Sequence, residues 1–109
     1  MLVVIRKKAT DDELRRMAED FDGYLKLVVD IGQSILVGGG RRHLEGEQKL
    51  ISEGSHQADL WGGGVDLDTR EIDYNSIINL RPSQGNPGRE ILSADVRKKF
   101  DAIVKELII

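Results

Sequence analysis

The stretch over residues 77–86 constrains this chain more than any other, because it leads from a predicted strand directly through Pro82 into a polar, turn-forming loop. Period-2 alternation predicts a strand over residues 74–81 with one apolar and one polar face. Pro82 has no N–H to donate to a neighbouring strand, so the strand has to end there. The polar and glycine-containing residues that follow are typical of a turn-rich loop. We therefore expect a central strand that leads directly into a polar loop, which makes this segment the best candidate for a site.

Hydrophobic periodicity divides the rest of the chain into further elements. Thr10 and Glu13 have the spacing of a helix capping box, which predicts a helix over residues 11–21. Ser93 is placed to cap a longer C-terminal helix in which apolar residues recur every 3.6 positions. The remaining runs predict strands at residues 2–5, 24–31, 34–38 and 59–67 and a short helix at residues 44–53.

The predicted order of elements is β-α-β-β-α-β-β-α within a single domain over residues 1–109. Each element has one apolar face to bury, and one sheet covered by helices is the simplest packing for this order. We expect an α+β fold with a single, mostly antiparallel sheet and with the helices packed on one face.

Composition excludes several classes of function. The chain has no cysteine, which excludes disulfides, thiolate metal sites and cysteine nucleophiles. Its 16 basic and 19 acidic residues are interspersed and give a net charge of -3, which disfavours nucleic-acid binding. No apolar run approaches the roughly 20 residues of a membrane span, and the N-terminus lacks a signal-peptide pattern. We expect a cytoplasmic protein without a membrane partner.

The two histidines offer limited catalytic chemistry. His43 and His56 have no strong metal-binding spacing with the neighbouring acids, and no metal site is predicted. His43 can act as a general acid or base with Asp59 as the carboxylate that orients it, which defines a hypothesis of a small hydrolase or transferase. The alternative is a helix-capping or surface histidine.

The strongest polar set lies around the proline. Arg81 stands near Asn79, Gln84 and Asn86, and a guanidinium fork beside amide groups can bind a carboxylate or phosphate. In the alternative, Arg81 pairs with an acid across the sheet and the amides tie down their own loop. Trp61 is similarly either a platform on which a ligand stacks or an anchor in the core.

Three segments of the chain carry recognisable motifs. Residues 39–43 read Gly-Gly-x-x-His, residues 54–62 read Gly-Ser-x-Gln-x-Asp-Leu-Trp-Gly, and residues 78–86 read Ile-Asn-x-Arg-Pro-x-Gln-Gly-Asn. Over almost its whole length the chain resembles a small prokaryotic family of unknown function with these motifs. The resemblance implies no activity or cofactor. It implies which positions to suspect, namely His43, Ser55, Gln57, Asp59, Trp61, Asn79, Arg81, Gln84 and Asn86.

The leading hypothesis is a domain that binds a polar or anionic ligand where residues 38–43, 54–62 and 79–86 meet. Its predicted ligand-binding residues are Arg81, Asn79, Gln84, Asn86, Gln57, Ser55 and Trp61. Another hypothesis is a homo-oligomeric interaction protein, such as a homodimer. It rests on the apolar C-terminus Leu107-Ile108-Ile109, because terminal residues usually fray unless they are docked.

Overall fold

The computed structural model describes residues 1–109 and contains five strands and three α-helices. In chain order these are β1 (Val3–Ile5), α1 (Asp11–Met17), β2 (Tyr24–Asp30), β3 (Ile35–Gly38), α2 (His43–Ser52), β4 (Leu60–Asp66), β5 (Ile72–Asp73) and α3 (Ala94–Leu107). Single turns of 3-10 helix lie at Gln57–Asp59, Ile77–Asn79 and Pro82–Gln84. The predicted order of strands and helices is confirmed, although the last strand lies at Ile72–Asp73 and not at residues 74–81. All three helices fall short of the length and apolar character that a membrane span requires.

The five strands form one antiparallel sheet in the order β1-β3-β2-β4-β5. The central strand β2 pairs with β4 along its whole length, from Tyr24 opposite Asp66 to Asp30 opposite Leu60. The edge strands β1 and β5 have only 3 and 2 residues, so they expose few unpaired backbone groups. The α+β class with a single antiparallel sheet is confirmed.

The sheet buries apolar side chains on both of its faces. Successive residues of β2 point to opposite faces, and Leu27 belongs to the larger apolar cluster while Val28 belongs to the smaller one. The larger cluster includes Met17 of α1 and Phe100 of α3, and the smaller includes Leu50 of α2. The helices are therefore divided, with α1 and α3 on one face and α2 on the other, whereas the sequence predicts all of them on one face.

Gly46 explains how α2 reaches the second face. A Cβ atom at this position would lie 2.9 Å from the side chain of Val37 and 3.0 Å from that of Val28, which is closer than carbon atoms pack. The absent side chain lets the helix backbone lie directly on β2 and β3. Glycine also lowers the intrinsic stability of a helix, so the residue that weakens α2 locally is the one that permits its packing.

The capping signals at α1 and α3 are confirmed. The backbone N–H of Glu13 donates to Thr10 Oγ1 at 3.1 Å, and the backbone N–H of Thr10 donates to Glu13 Oε1 at 2.9 Å. At α3 the backbone N–H of Val96 donates to Ser93 Oγ at 3.2 Å. These bonds satisfy N–H groups that have no partner within the helix.

The first helix is shorter than predicted, because α1 ends at Met17 and not at residue 21. Phe21, the expected last apolar contact of the helix, is 38% exposed. Its ring packs edge-on against that of Tyr24, with 6.4 Å between centroids. Phe21 thus packs against Tyr24 outside the helix and not on its apolar face.

The predicted strand over residues 74–81 is wrong. The chain leaves the sheet after β5 and makes a 3-10 turn at residues 77–79. Ser76 Oγ accepts a hydrogen bond from the N–H of Ile78 at 3.2 Å, and such local bonds compete with a strand ladder. The neighbours Ile78 and Asn79 are both buried, so burial does not alternate as it does in a strand.

The apolar C-terminus packs against the protein's own core. Leu107 and Ile108 are each 3% exposed, and the N–H of Ala9 donates to the Leu107 carbonyl at 2.9 Å. The apolar residues that motivated the homodimer hypothesis are therefore used within one chain and give it no support.

Candidate functional site

Asn79, a predicted ligand-binding residue, lies fully buried against the outer edge of β4. Its Oδ1 accepts a hydrogen bond from the N–H of Gly62 at 2.8 Å, and its Nδ2 donates to the Gly62 carbonyl at 2.9 Å. The same amide nitrogen lies 3.0 Å from the carbonyls of both Tyr74 and Arg89. The side chain therefore pairs with β4 as the peptide group of a neighbouring strand would.

Arg81 also bonds to backbone groups along this edge of β4. Its guanidinium donates to the carbonyl of Leu60 through Nη2 and to that of Ile78 through Nε at 3.0 Å. The group lies over the ring of Trp61, 4.7 Å from the centroid, and Nη2 is 3.7 Å from Glu47 Oε2. The side chains of Arg81 and Glu47 are only 8% and 7% exposed, so they form a buried ion pair. The donors of Arg81 are occupied within the protein.

Asn86 and Gln84 stabilise the backbone around their own loop through hydrogen bonds. Asn86 Nδ2 donates to the carbonyl of Asn79 at 2.7 Å, and its Oδ1 accepts from the N–H of Leu92 at 3.0 Å. Gln84 Nε2 donates to the carbonyl of Ala58 at 3.2 Å. These contacts match the alternative in which the amides fix the local backbone.

The other predicted ligand-binding residues have separate surroundings. Ser55 is buried, and its Oγ donates to the carboxylate of Asp30 at 2.7 Å. Trp61 is 5% exposed and lies beneath the guanidinium of Arg81. Gln57 is exposed and is not hydrogen-bonded to any of them. These side chains do not converge on one opening.

The structure does not bring the two candidate catalytic residues together. His43, the first residue of α2, is bonded through Nε2 to the carbonyl of Gly63 at 2.7 Å. Asp59 precedes β4, and its carboxylate lies beside Gly32 in the turn between β2 and β3. No hydrogen bond joins the two side chains, which an acid–base pair requires. No group of three or more His, Asp or Glu side chains is placed to hold a metal ion.

An open pocket of about 360 Å³ lies beside the start of α2. Residues from β2, from the start of α2 and from the long segment between β5 and α3 meet there. The lining consists of Lys26, Arg41, Arg42, His43, Leu44, Asn75, Ser76, Ile77 and Arg89. Of the three predicted site segments, only residues 38–43 reach it. We call this site the basic pocket.

The basic pocket is strongly cationic, although the whole chain has a net charge of -3. Its lining contains one lysine, three arginines and a histidine and no acidic residue. Arg41 lies 3.8 Å from the carboxylate of Asp20, whereas Lys26, Arg42 and Arg89 form no salt bridge. Unpaired cations around a concave surface create a local positive potential. The site is suited to an anion.

The protonation of His43 follows from its contact with the backbone. A carbonyl oxygen only accepts hydrogen bonds, so the bond to Gly63 requires a proton on Nε2. Burial lowers the pKa of His43, and the bond to Gly63 opposes this effect. The ring is neutral near pH 7, with its remaining lone pair on Nδ1.

None of the four cationic residues of the pocket was among the predicted site residues, although Arg41 and Arg42 lie in the predicted segment 38–43. Lys26 interrupts the otherwise apolar central strand between Leu25 and Leu27, and a charge in such a position is a recognisable signal. Arg89 carries no local signal, because the hydrogen bonds of Asn79 and Asn86 bring its segment to the pocket.

We expect the protein to lose stability as the pH falls below about 6.5, the ordinary pKa of histidine. Because the pKa of His43 is lowered on folding, the unfolded chain binds more protons in this range. The stabilisation is fully present above the unfolded pKa and is lost as the pH falls through the folded pKa. Urea denaturation between about pH 5 and 8 measures this dependence. The pH dependence of stability should become weaker in His43→Gln and should remain in the control His56→Gln, which replaces an exposed histidine. An unchanged pH dependence in His43→Gln would contradict the attribution of this effect to His43.

Comparison with known proteins identifies a family for this chain. A family model described as "Protein of unknown function (DUF5674)" matches residues 3–107, from the first residue of β1 to the last residue of α3. No curated protein and no solved structure is similar enough to this chain to match it. The match confirms the predicted membership of a family of unknown function. The chain therefore belongs to the DUF5674 family.

Proposed function

We propose that this protein binds a small anion in the basic pocket. The observation that carries the proposal is that four basic residues, Lys26, Arg41, Arg42 and Arg89, line one concave surface whose lining contains no acidic residue. Like charges repel one another, so gathering them around one cavity opposes folding. A bound anion relieves this repulsion and supplies acceptors for their N–H groups.

The start of α2 adds to the positive potential of the basic pocket. The backbone N–H groups of His43 and Leu44 have no carbonyl partner within the protein. The helix dipole places partial positive charge at this end of a helix of 10 residues. The planar fork of arginine matches the oxygens of phosphate and carboxylate groups. We infer that the ligand carries a group of one of these two kinds.

A larger depression of about 540 Å³ along α3 is less suited to an anion. Its Arg97 is stacked on the ring of Tyr74 at 4.3 Å and lies 3.5 Å from the carboxylate of Glu90. Asp101 belongs to its lining and accepts a hydrogen bond from Tyr74 Oη at 2.7 Å. The charges of this depression are therefore partly compensated within the protein.

The double substitution Arg42→Gln/Arg89→Gln is expected to weaken anion binding at least about tenfold. A hydrogen bond to a charged group contributes about 1.5–3 kcal/mol, and about 1.4 kcal/mol corresponds to a factor of ten in Kd. Both arginines are exposed and form no salt bridge, so the fold should be unaffected. Calorimetric titration of the wild type and the variant with phosphate, pyrophosphate and citrate measures the effect.

The matched control is Lys7→Gln/Arg15→Gln, which removes two exposed positive charges outside the pocket lining. This control should keep the wild-type affinity. An equal loss of affinity in both double variants would assign the effect to net charge and not to the pocket. A wild-type protein that binds none of the three anions at millimolar concentration would refute the proposal.

A further inference from the structure

The second ring nitrogen of His43, a residue that lines the basic pocket, is free of hydrogen bonds within the protein. Nε2 is held by the carbonyl of Gly63, whereas Nδ1 has no hydrogen-bond partner in the protein. Some polar side-chain atoms of this protein are buried away from solvent and have no hydrogen-bond partner, but Nδ1 is not one of them. Solvent therefore reaches Nδ1, and the residue that carries it lines the pocket.

The surroundings of His43 keep Nδ1 a hydrogen-bond acceptor. Burial has the largest effect and lowers the pKa of the ring, and the bond to Gly63 raises it. The charge of Lys26 on β2 lowers the pKa further, and that of Asp73 on β5 raises it. The net shift is downward, so Nδ1 is unprotonated at neutral pH. The remaining charged groups of the pocket are Arg41, Arg42 and Arg89.

We propose that His43 makes the basic pocket specific for anions that carry their own hydrogen-bond donor, such as hydrogen phosphate, over fully ionised anions such as sulfate. This inference rests on the proposed anion binding and adds the protonation state of the ligand. An O–H group of the ligand donates to Nδ1 while the arginines bind its charged oxygens. A ligand without a donor sets an oxygen lone pair against that of Nδ1 and leaves both without a partner.

Three anions of equal charge separate these cases. At about pH 8, inorganic phosphate is mainly the hydrogen phosphate dianion, whereas methyl phosphate and sulfate are dianions without an O–H group. Calorimetric titration of the wild-type protein at constant ionic strength should give a Kd for phosphate at least about tenfold lower than for either of the other two. Methyl phosphate is the sharper comparison, because it keeps the phosphoryl geometry and lacks only the donor.

His43→Phe removes the acceptor and keeps a ring in its place. The preference for phosphate over methyl phosphate and sulfate should fall to less than about twofold, while the arginines still bind all three anions. The control His56→Phe replaces the exposed histidine outside the pocket and should keep the wild-type preference. ¹⁵N NMR of the wild type needs no variant. It should show a protonated Nε2 and an unprotonated Nδ1 in His43, and an Nδ1 resonance that moves with phosphate and not with sulfate.

The possible failures are distinguishable. Equal affinities for phosphate, methyl phosphate and sulfate, all weakened by Arg42→Gln/Arg89→Gln, would overturn the role of His43 and leave anion binding intact. A preference for phosphate that survives in His43→Phe would do the same. The absence of binding by these three anions, by pyrophosphate and by citrate would overturn both proposals.

Discussion

Replacing Arg81 with alanine is expected to lower the free energy of unfolding by about 3–5 kcal/mol. The substitution leaves the carboxylate of Glu47, a residue only 6% exposed, buried without its counter-charge. It also removes the donor of the Leu60 carbonyl at the edge of β4. Urea denaturation followed by fluorescence measures the loss. The only tryptophan, Trp61, lies beneath the guanidinium and reports directly on this site.

The matched control for Arg81→Ala is Arg89→Ala, which truncates an exposed arginine without a salt bridge and should change stability by less than about 0.5 kcal/mol. Arg81→Lys should fall between the two, because lysine keeps the charge and lacks the planar fork. Removing both charges in Arg81→Met/Glu47→Leu should recover part of the loss. Wild-type stability in Arg81→Ala would show that the ion pair with Glu47 does not form and would return Arg81 to the candidate ligand-binding residues.

Asn79→Ala is expected to cost about 2–4 kcal/mol, because it leaves the buried N–H and carbonyl of Gly62 without partners. The same change removes the contacts that hold the carbonyls of Tyr74 and Arg89. For a chain of this size, thermal unfolding should shift downward by at least about 8 °C. Calorimetry or circular dichroism measures the shift.

Asn79→Asp provides the stricter test of this arrangement. It keeps the shape of the side chain but replaces the amide donor by an oxygen that faces three carbonyls. We expect it to destabilise the protein at least as much as Asn79→Ala. The exposed neighbour Asn75 serves as the control, and Asn75→Ala should change stability by less than about 0.5 kcal/mol. A stable Asn79→Asp would exclude the pairing with β4.

Elements whose signals are local could be predicted from the sequence. The capping residues Thr10 and Ser93 mark their helices because a cap depends only on neighbouring backbone groups. The alternation over residues 74–81 misled the prediction, because the polar side chains of Ser76 and Asn79 bond to backbone groups of the protein itself. Whether an amide side chain pairs with a distant strand is a tertiary property that no local pattern carries.

The candidate site likewise combines features that local sequence reveals with features that depend on the tertiary structure. Asn79, Arg81 and Asn86 stand out in the sequence because their planar side chains form directed hydrogen bonds. In the structure these bonds are made to the protein's own backbone. His43 was selected from the sequence, but its partner is the backbone of Gly63 and not Asp59. The cations of the basic pocket come from segments far apart in the chain, so their proximity depends on the completed fold.

The closure of the edge of β4 by side chains has a consequence for how this protein can change in evolution. A further strand along this edge would commit every second residue of residues 74–81 to one face of the sheet. Instead, the side chains of Asn79 and Arg81 bond to the backbone groups of Gly62 and Leu60 at this edge. The backbone of residues 74–81 therefore does not have to alternate its side chains between the two faces of the sheet. Substitutions in the neighbouring loop can then reshape the wall of the basic pocket without disturbing the sheet, so the pocket lining can diverge while the fold is retained.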